Sequence, residues 1–426
     1  MRSDQKVPLS LALGLGLAGF AILIRSSELV ALSLPVIVYA LFLVVSTAML
    51  PPSRFTVERA IDRYRAIDGE TLCVTTRIIN RSGSAVRIVA RDRLPAAGER
   101  LDGEPSAAAR LAPAGALTLS YRIRLPRGVH EIGSAEVTVL APLGLARRAS
   151  DAGEATPVRI VPRSAPIERI AISPRRTRGF AGTVRARLGG QGLEFFGCRA
   201  YTPGDDVRRI NWRAYARRDA LVINEYDIER IADVNVIVDA RARVHLRVGD
   251  RDTFEPAIEA AARVAGRLIA QGNSVGLLIY GDYLHWVFPG TGRGQHDRIL
   301  DALSDARPSD KPAFEGLDRL PTRLFPPGSQ IVLVSPLADT HDVEVVSRLV
   351  GRGYAVLLIS PNRASLARTA ISRDPALRLA ERIVQLDRSI SLDALTRLGV
   401  RAVDWDLTTP LAEAVAVLSR PAGGRR

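Results

Sequence analysis

The sequence predicts three parts in series: a two-helix transmembrane hairpin, a small all-β immunoglobulin-like sandwich, and an α/β Rossmann-like domain. Three observations carry this. Two charge-free apolar runs open the chain, period-two alternation extends from Phe55 to about Val161, and short apolar runs alternate with helix-periodic stretches beyond about residue 231. The 426 residues leave room for two or three folded units. A hydrophobic share of 47% is globular, which excludes a disordered tail and a polytopic transporter. Two cysteines, Cys73 and Cys198, exclude a disulfide framework and a four-thiolate metal site. The formal charge of +14 ordinarily points to nucleic acid or anionic lipid, but of 59 lysines and arginines only Lys6 and Lys311 are lysines. That ratio reads as a coding bias rather than a phosphate-binding surface.

The hairpin (1–52) has spans at about 8–24 and 29–50, separated by Arg25, Ser26, Ser27 and Glu28. At about 1.5 Å per residue the first span is near the lower limit for crossing a bilayer. Arg2 and Lys6 before it and Arg54, Arg59, Arg63 and Arg65 after the second oppose Arg25 alone in the link. Both termini and the soluble bulk are therefore expected on the cytoplasmic side of the cell membrane. A cleaved signal peptide fits two closely spaced runs poorly. Gly14, Gly16 and Gly19 spell GxGxxG, but inside a span with no preceding strand they read as a close helix–helix contact, not a dinucleotide loop.

In the sandwich (53–162), Leu117, Leu119, Tyr121, Ile123 and Leu125 alternate with polar residues, giving one buried face. Leu72–Ile78, the turn at 80–84 and Val86–Ala90 read as a hairpin, and His130–Ile132 with Val137–Val139 as another. No titratable cluster is evident, so spacing or binding is the expected role.

Residues 163–192 read as a basic Gly/Arg linker, with Pro174 and several glycines breaking periodicity and Arg175, Arg176, Arg178, Arg185 and Arg187 suiting an anionic membrane face. The densest stretch, 193–230, holds Glu194, Arg199, Tyr201, Pro203, Gly204, Asp205, Asp206, Arg208, Trp212, Arg213 and Arg217. Pro203-Gly204 specifies a turn, Asp205 can cap the segment after it, and the arginines can pair with Glu194, Asp205, Asp206 and Glu225. Trp212 and Tyr215 are expected in tight cation–π packing within the motif. The run Gly192-Leu193-Glu194-Phe195, Arg199-Ala200-Tyr201-Thr202-Pro203-Gly204-Asp205-Asp206, Arg208-Arg209-Ile210-Asn211-Trp212 resembles the motif of the domain of unknown function 58 family, bacterial membrane-associated proteins. Arg127-Gly128-Val129-His130 to Pro142-Leu143-Gly144-Leu145 is similar to the family's preceding stretch. The resemblance implies a von Willebrand factor type A-like C-terminal domain and a MoxR-type AAA+ ATPase as partner. It implies little about chemistry.

For the domain at 231–426, apolar strands are expected at Val234–Val238, Ser274–Tyr280, Gln330–Ser335 and Tyr354–Ser360, with a helix over Phe254–Gln271, hence a parallel sheet covered on both faces. The type A resemblance implies a Mg²⁺ site at the carboxyl edge with a first loop Asp-x-Ser-x-Ser. Here that loop reads Asp239-Ala240-Arg241-Ala242-Arg243, and a guanidinium has no lone pair to give a cation. Pro336 stands where a later aspartate is implied, with Asp339 as a substitute, and Thr291 could serve as the threonine. No functional metal site is expected, and Arg241 or Arg243 is expected to pair with Asp239 instead.

Gly272-Asn273-Ser274-Val275-Gly276 matches a nucleophile elbow, but the helix precedes and the strand comes after it, the reverse of what an elbow needs. Gly290–Gly294 lacks a P-loop ending, and the five histidines lack zinc spacing. Nucleophile, base and orienting group nowhere coincide. The expectation is a non-enzymatic, membrane-anchored adaptor without cofactor or small-molecule substrate that binds a MoxR-type ATPase through the motif and the type A-like domain. The competing readings are a Mg²⁺-dependent adhesion-like receptor and an arginine-rich binder of nucleic acid or anionic lipid.

Overall fold

The computed structural model describes residues 6–48, 50–141, 147–165, 167, 170, 172, 184–230, 232–281, 284–310, 325–338, 340–368 and 375–419. They fall into two units, 1–161 and 162–426.

The first unit opens with helices α1 (Lys6–Ile24) and α2 (Ser27–Ala48). Among the described residues one helix, α2, is long and apolar enough to cross a membrane, while α1 contributes the shorter apolar stretch Ala12–Ile24. Gly14 is buried, and a Cβ there would lie 3.3 Å from Ile37 Cγ1, so this glycine lets α1 approach α2; Gly16 and Gly19 have no such neighbour.

The strands of this unit are β1 (Phe55–Ile61), β2 (Arg65–Ile67), β3 (Thr71–Asn80), β4 (Val86–Asp92), β5 (Glu99–Gly103), β6 (Ser106–Leu111), β7 (Ala116–Arg124), β8 (Gly128–Ile132), β9 (Ala135–Leu140), β10 (Arg147–Ala152) and β11 (Thr156–Val161). One sheet has the order β1-β3-β7-β5, a second β10-β9-β4-β6, and a third β2-β11-β8. Buried residues alternate along β3, β4 and β7, so Leu72, Val74, Ile88, Leu119, Tyr121 and Ile123 leave water together.

Both expected hairpins are corrected. β3 and β4 lie in different sheets, as do β8 and β9, so the segments at 80–84 and 132–135 are corners between sheets. Asn80 builds the first corner: its side chain donates to the carbonyls of Ser84, Leu111 and Ala112 and accepts from the Ser82 amide. Alternation reports which face a residue takes, not which strand it pairs with.

The expectation of no titratable cluster here also fails. Asp92 is buried and accepts from Arg59, from Thr76 Oγ1 at 2.6 Å and from Tyr121 Oη at 2.8 Å. The Arg59 side chain is 5% exposed and donates to the carbonyls of Ile132 and Gly133, which pins the second corner. It is a core cation rather than one of the charges expected to flank a membrane span.

In the second unit β12 (Val184–Ala200) and β13 (Val222–Arg230) form an antiparallel ribbon. The expected linker therefore ends before 184, because residues 184–190 pair with 226–230. Register shifts next to Gly189 and Gly190 let the ribbon absorb the glycines that had suggested irregular chain.

The α/β part contains β14 (Asp233–Asp239), the short pair β15 (Arg247–Val248) and β16 (Arg251–Asp252), α4 (Phe254–Ala270), β17 (Ser274–Tyr280), β18 (Leu284–Gly290), α5 (Gly292–Asp305), β19 (Gln330–Val334), α6 (Thr340–Gly351), β20 (Ala355–Pro361), α7 (Arg363–Arg368), α8 (Pro375–Arg397), β21 (Arg401–Trp405) and α9 (Leu411–Ser419). The sheet order is β18-β17-β14-β19-β20-β21, parallel except for β18. Every residue of β14 and β19 is buried, so both faces are covered. Strand order reverses between β14 and β19, and their carboxyl ends frame the crevice where ligands bind in such sheets.

Candidate functional site

Two places have the chemistry to act: the motif loop at the end of the β12–β13 ribbon and the crevice beyond β14 and β19.

In the loop, Gly204 takes φ +107° after Pro203, and the Asp205 amide closes the turn on the Thr202 carbonyl at 3.0 Å. Arg199 meets Asp205 as a two-pronged pair, Nη1 to Oδ2 and Nη2 to Oδ1, both 2.7 Å. The Thr202 amide and hydroxyl donate to the same carboxylate at 2.8 Å each. Arg199 first, then Thr202, hold the Asp205 carboxyl well below the usual carboxylate range. The capping residue is Asp206 rather than Asp205: Asp206 Oδ1 accepts from the Arg208 amide at the start of a 3₁₀ turn, Val207–Arg209. Asn211, unnoticed in the sequence, caps α3 (Trp212–Arg218) by accepting from the Ala214 amide at 2.9 Å, and it donates to Asn224 on β13.

The wider ion-pair network is smaller than expected. Arg208, Arg213 and Arg217 are exposed and, among the described residues, form no ion pair, while the side chains of Glu194 and Glu225 lie outside the described structure. Trp212 is 62% exposed and meets Tyr215 edge-on at 6.2 Å, which replaces the expected tight packing with an open aromatic surface. Tyr201, Val207 and Leu221 lie near it in sequence, the last two exposed.

In the crevice Arg241 is 1% exposed and lies on Asp239, Nε to Oδ1 at 2.9 Å and Nη2 to Oδ2 at 2.7 Å. The Arg241 amide also donates to Oδ1 and the Ser335 hydroxyl to Oδ2, at 3.2 and 2.8 Å. Each carboxylate oxygen thus accepts twice, which fills the roughly four lone-pair directions available. Arg241 Nη2 also reaches Asp342 Oδ1 on α6 at 2.8 Å, and its guanidinium carbon stands 5.4 Å from the centre of the Tyr280 ring. Burial alone would lower its pKa, but the hydrogen bond and charge of Asp239, with Asp342, raise it, so the cation is permanent.

The other expected positions fall differently. Arg243 is exposed beside a cleft of about 180 Å³ lined by Arg241, Ala242, Ser309 and Asp310. Thr291 does not belong to the crevice: β18 runs antiparallel, so Gly290 pairs with Val275 at the start of β17, five residues and roughly 17 Å along the strands from Asp239. The chain that borders Arg241 comes instead through Ser309, whose carbonyl accepts the Ala242 amide at 2.7 Å. Asp339 lies outside the described residues. Pro336 offers only its carbonyl, which accepts Arg388 Nη1 at 2.7 Å.

Arg388, on α8, extends the cluster across the sheet. It donates to the Ser360 carbonyl and hydroxyl at 3.0 and 2.9 Å and to Asp404 at 2.9 Å, while Ser360 Oγ donates to the Ser335 carbonyl at 2.8 Å. Leu337 turns the intervening loop at φ +51°, a left-handed conformation costing a leucine about 1 kcal/mol or more. His245 closes the near side, with Nε2 2.7 Å from the Asp239 carbonyl, which can only accept, and Nδ1 3.1 Å from Thr253 Oγ1. Asp342, Arg388 and His245 gave no sequence signal, since each lies in an ordinary helical or turn context.

Residues 197–369 match the family described as protein of unknown function DUF58. That DUF58 match takes in the motif loop and Asp239, Arg241, Ser335 and Asp342, while Arg388 and Asp404 lie beyond it. The uncharacterized protein YeaD of Bacillus subtilis (strain 168) is 24% identical over 345 residues, 78% of this chain and 82% of that protein. Similar solved structures include proximal thread matrix protein 1 from the mussel byssus, 13% identical over 44% of this chain and 45% of that one with a TM-score of 0.28. The CARDB domain of PF1109 from Pyrococcus furiosus is 14% identical over 26% of this chain and 96% of that one, with a TM-score of 0.19. Likenesses at these TM-scores carry no argument about fold or function.

Proposed function

We propose that the protein is a non-enzymatic, membrane-anchored adaptor whose motif loop and type A-like α/β domain bind a protein partner, a MoxR-type AAA+ ATPase. In this reading α1 and α2 form a two-span hairpin, the strand-rich part is an immunoglobulin-like spacer, and the soluble units are cytoplasmic. The observation that carries it is the exposure of Trp212, Tyr215, Val207 and Leu221 around an Arg199–Asp205 turn already satisfied within itself. Exposed tryptophan, tyrosine and arginine on a pre-ordered turn are the composition of protein-interface anchors. The saturated Asp239 supports binding without a bridging cation and speaks against the adhesion-like alternative.

The test is a crosslinked pull-down of the full-length protein with mass spectrometry, comparing wild type with Trp212→Ala/Val207→Ser. The reading expects an AAA+ ATPase with wild type and its loss from the equally stable variant. Equal recovery removes the motif as the interface, and recovery of no ATPase removes the partner. Binding to nucleic acid or anionic vesicles that weakens steeply with salt would favour the alternative in which Arg208, Arg213 and Arg217 meet phosphate.

A further inference from the structure

Helix α8 is built inside out over its first four turns. Glu381, Gln385 and Arg388 face its own domain: Glu381 pairs with Arg368, Gln385 bonds Asn362, and Arg388 binds Asp404, Ser360 and Pro336. Leu379, Ile383, Leu386 and Ile390 stand on the opposite side, 59, 60, 63 and 60% exposed. A surface helix ordinarily does the reverse, because apolar area facing water costs free energy that burial would recover. A contiguous apolar stripe of this kind marks an interaction surface.

We infer that this stripe is the seam of a parallel homodimer, α8 against α8 of a second copy. The spacing of four, three and four residues is a heptad repeat, with Ile383 and Ile390 at a and Leu379 and Leu386 at d. Isoleucine at a with leucine at d favours two parallel strands over larger bundles. The charges give the same orientation. Arg382 falls at g and Asp387 at e, and in a parallel pair a g residue faces the e residue five positions on in the partner. Each dimer would contain that attractive contact twice, whereas antiparallel packing over the same four apolar positions sets Arg382 opposite Ser389 and Asp387 opposite Ala380, with no charge pair. Glu381, Gln385 and Arg388 then occupy the outer c and f positions, which is where the domain itself packs, so seam and domain do not compete for one face. A seam of two heptads is small, below roughly 1,200 Å². Confinement of α2 to a bilayer would raise the effective concentration and strengthen it.

Full-length protein lacking its exposed cysteines, Cys73→Ser/Cys198→Ser, is reconstituted in vesicles and oxidised. Leu386→Cys is expected to crosslink to its own copy, and Val384→Cys, one residue off the seam, is expected not to. Arg382→Asp and Asp387→Arg should each lower the Leu386→Cys crosslink severalfold, and the two together should restore it. Ile383→Asp should abolish the dimer in detergent by mass photometry without lowering the melting temperature. Equal crosslinking at 384 and 386, no recovery in the charge swap, a monomer at all concentrations with Leu386→Cys captured by another protein or by lipid, or unfolding of Ile383→Asp would each overturn the inference.

Discussion

Arg241 Nη2 donates to Asp342 Oδ1 across 2.8 Å, joining the loop after β14 to a helix 101 residues further along the chain. Asp239, Arg241 and Asp342 are all buried, and one guanidinium is shared between the two carboxylates. Buried ion pairs gain little net stability over an apolar substitute, but losing one partner strands the others in a medium that cannot solvate them. Arg241→Met should therefore destabilise the protein by about 3–5 kcal/mol, and Asp239→Ala by a similar amount, in urea unfolding. Unchanged midpoints would show that water reaches the cluster.

The same geometry predicts a gain of function. Arg241→Ser/Arg243→Ser restores Asp-x-Ser-x-Ser and frees Asp239 and Asp342 for a hard cation. Millimolar Mg²⁺ should raise the melting temperature of this variant and leave wild type unchanged.

In the strand-rich unit, the Tyr121 hydroxyl gives one hydrogen bond to a carboxylate that also accepts from Arg59 and Thr76. Tyr121→Phe should cost about 1–2 kcal/mol, whereas Asp92→Ala, which leaves the Arg59 cation buried, should cost about 3–5 kcal/mol. Chemical denaturation of the two variants distinguishes a shared network from a spectator tyrosine. Burial, and then the charge of Asp92, push the Tyr121 phenol far above its ordinary value, so its absorbance should show no phenolate until the protein unfolds in alkali.

His245 predicts an acid limb of the stability curve. Burial holds its imidazole below the ordinary value, against the opposing pull of Asp239. The unfolded chain therefore takes up the proton first. The stability contributed by neutral His245 is fully present above about pH 6.5 and is lost as pH falls through the lower folded value. His245→Gln should flatten that limb in melting curves recorded between about pH 7 and 5.

Asp205 titrates in the same sense for a different cause. Its carboxyl is held down by Arg199, so the turn is intact above about pH 4 and loosens only well into acid. The Asp205 carboxyl carbon should show no NMR titration step near pH 4 in wild type and should recover one in Arg199→Ala.

The apolar runs that became β14, β17, β19 and β20 were legible to within a residue or two, because a strand buried on both faces needs them. The arginine in the first loop was legible as an obstacle to a cation, for a guanidinium cannot act as a ligand. Pairing was not. β3 and β4 show the same alternation whether they share a sheet or face each other across a core, and Thr291 looked well placed until the direction of β18 was known. Asp342 carries no signal because a helix residue near an N-terminus is commonly acidic whatever it touches. α8 escaped notice for the opposite reason: its apolar stripe is regular, but it faces outward.

The distance in sequence between Arg241 and Asp342 also sets an order of events on the ribosome. At about 5–20 residues per second, Asp239 and Arg241 are made roughly 5–20 s before the second carboxylate exists. Until then the β14 end of the crevice has its cation and half of its counter-charge. Because β14 pairs with β17 on one side and β19 on the other, β19 must also be synthesised before β14 has a neighbour on that second side. Translation thus leaves a window of several seconds in which the N-terminal helices and the strand-rich unit are already made while the crevice is still open to a chaperone or a binding partner.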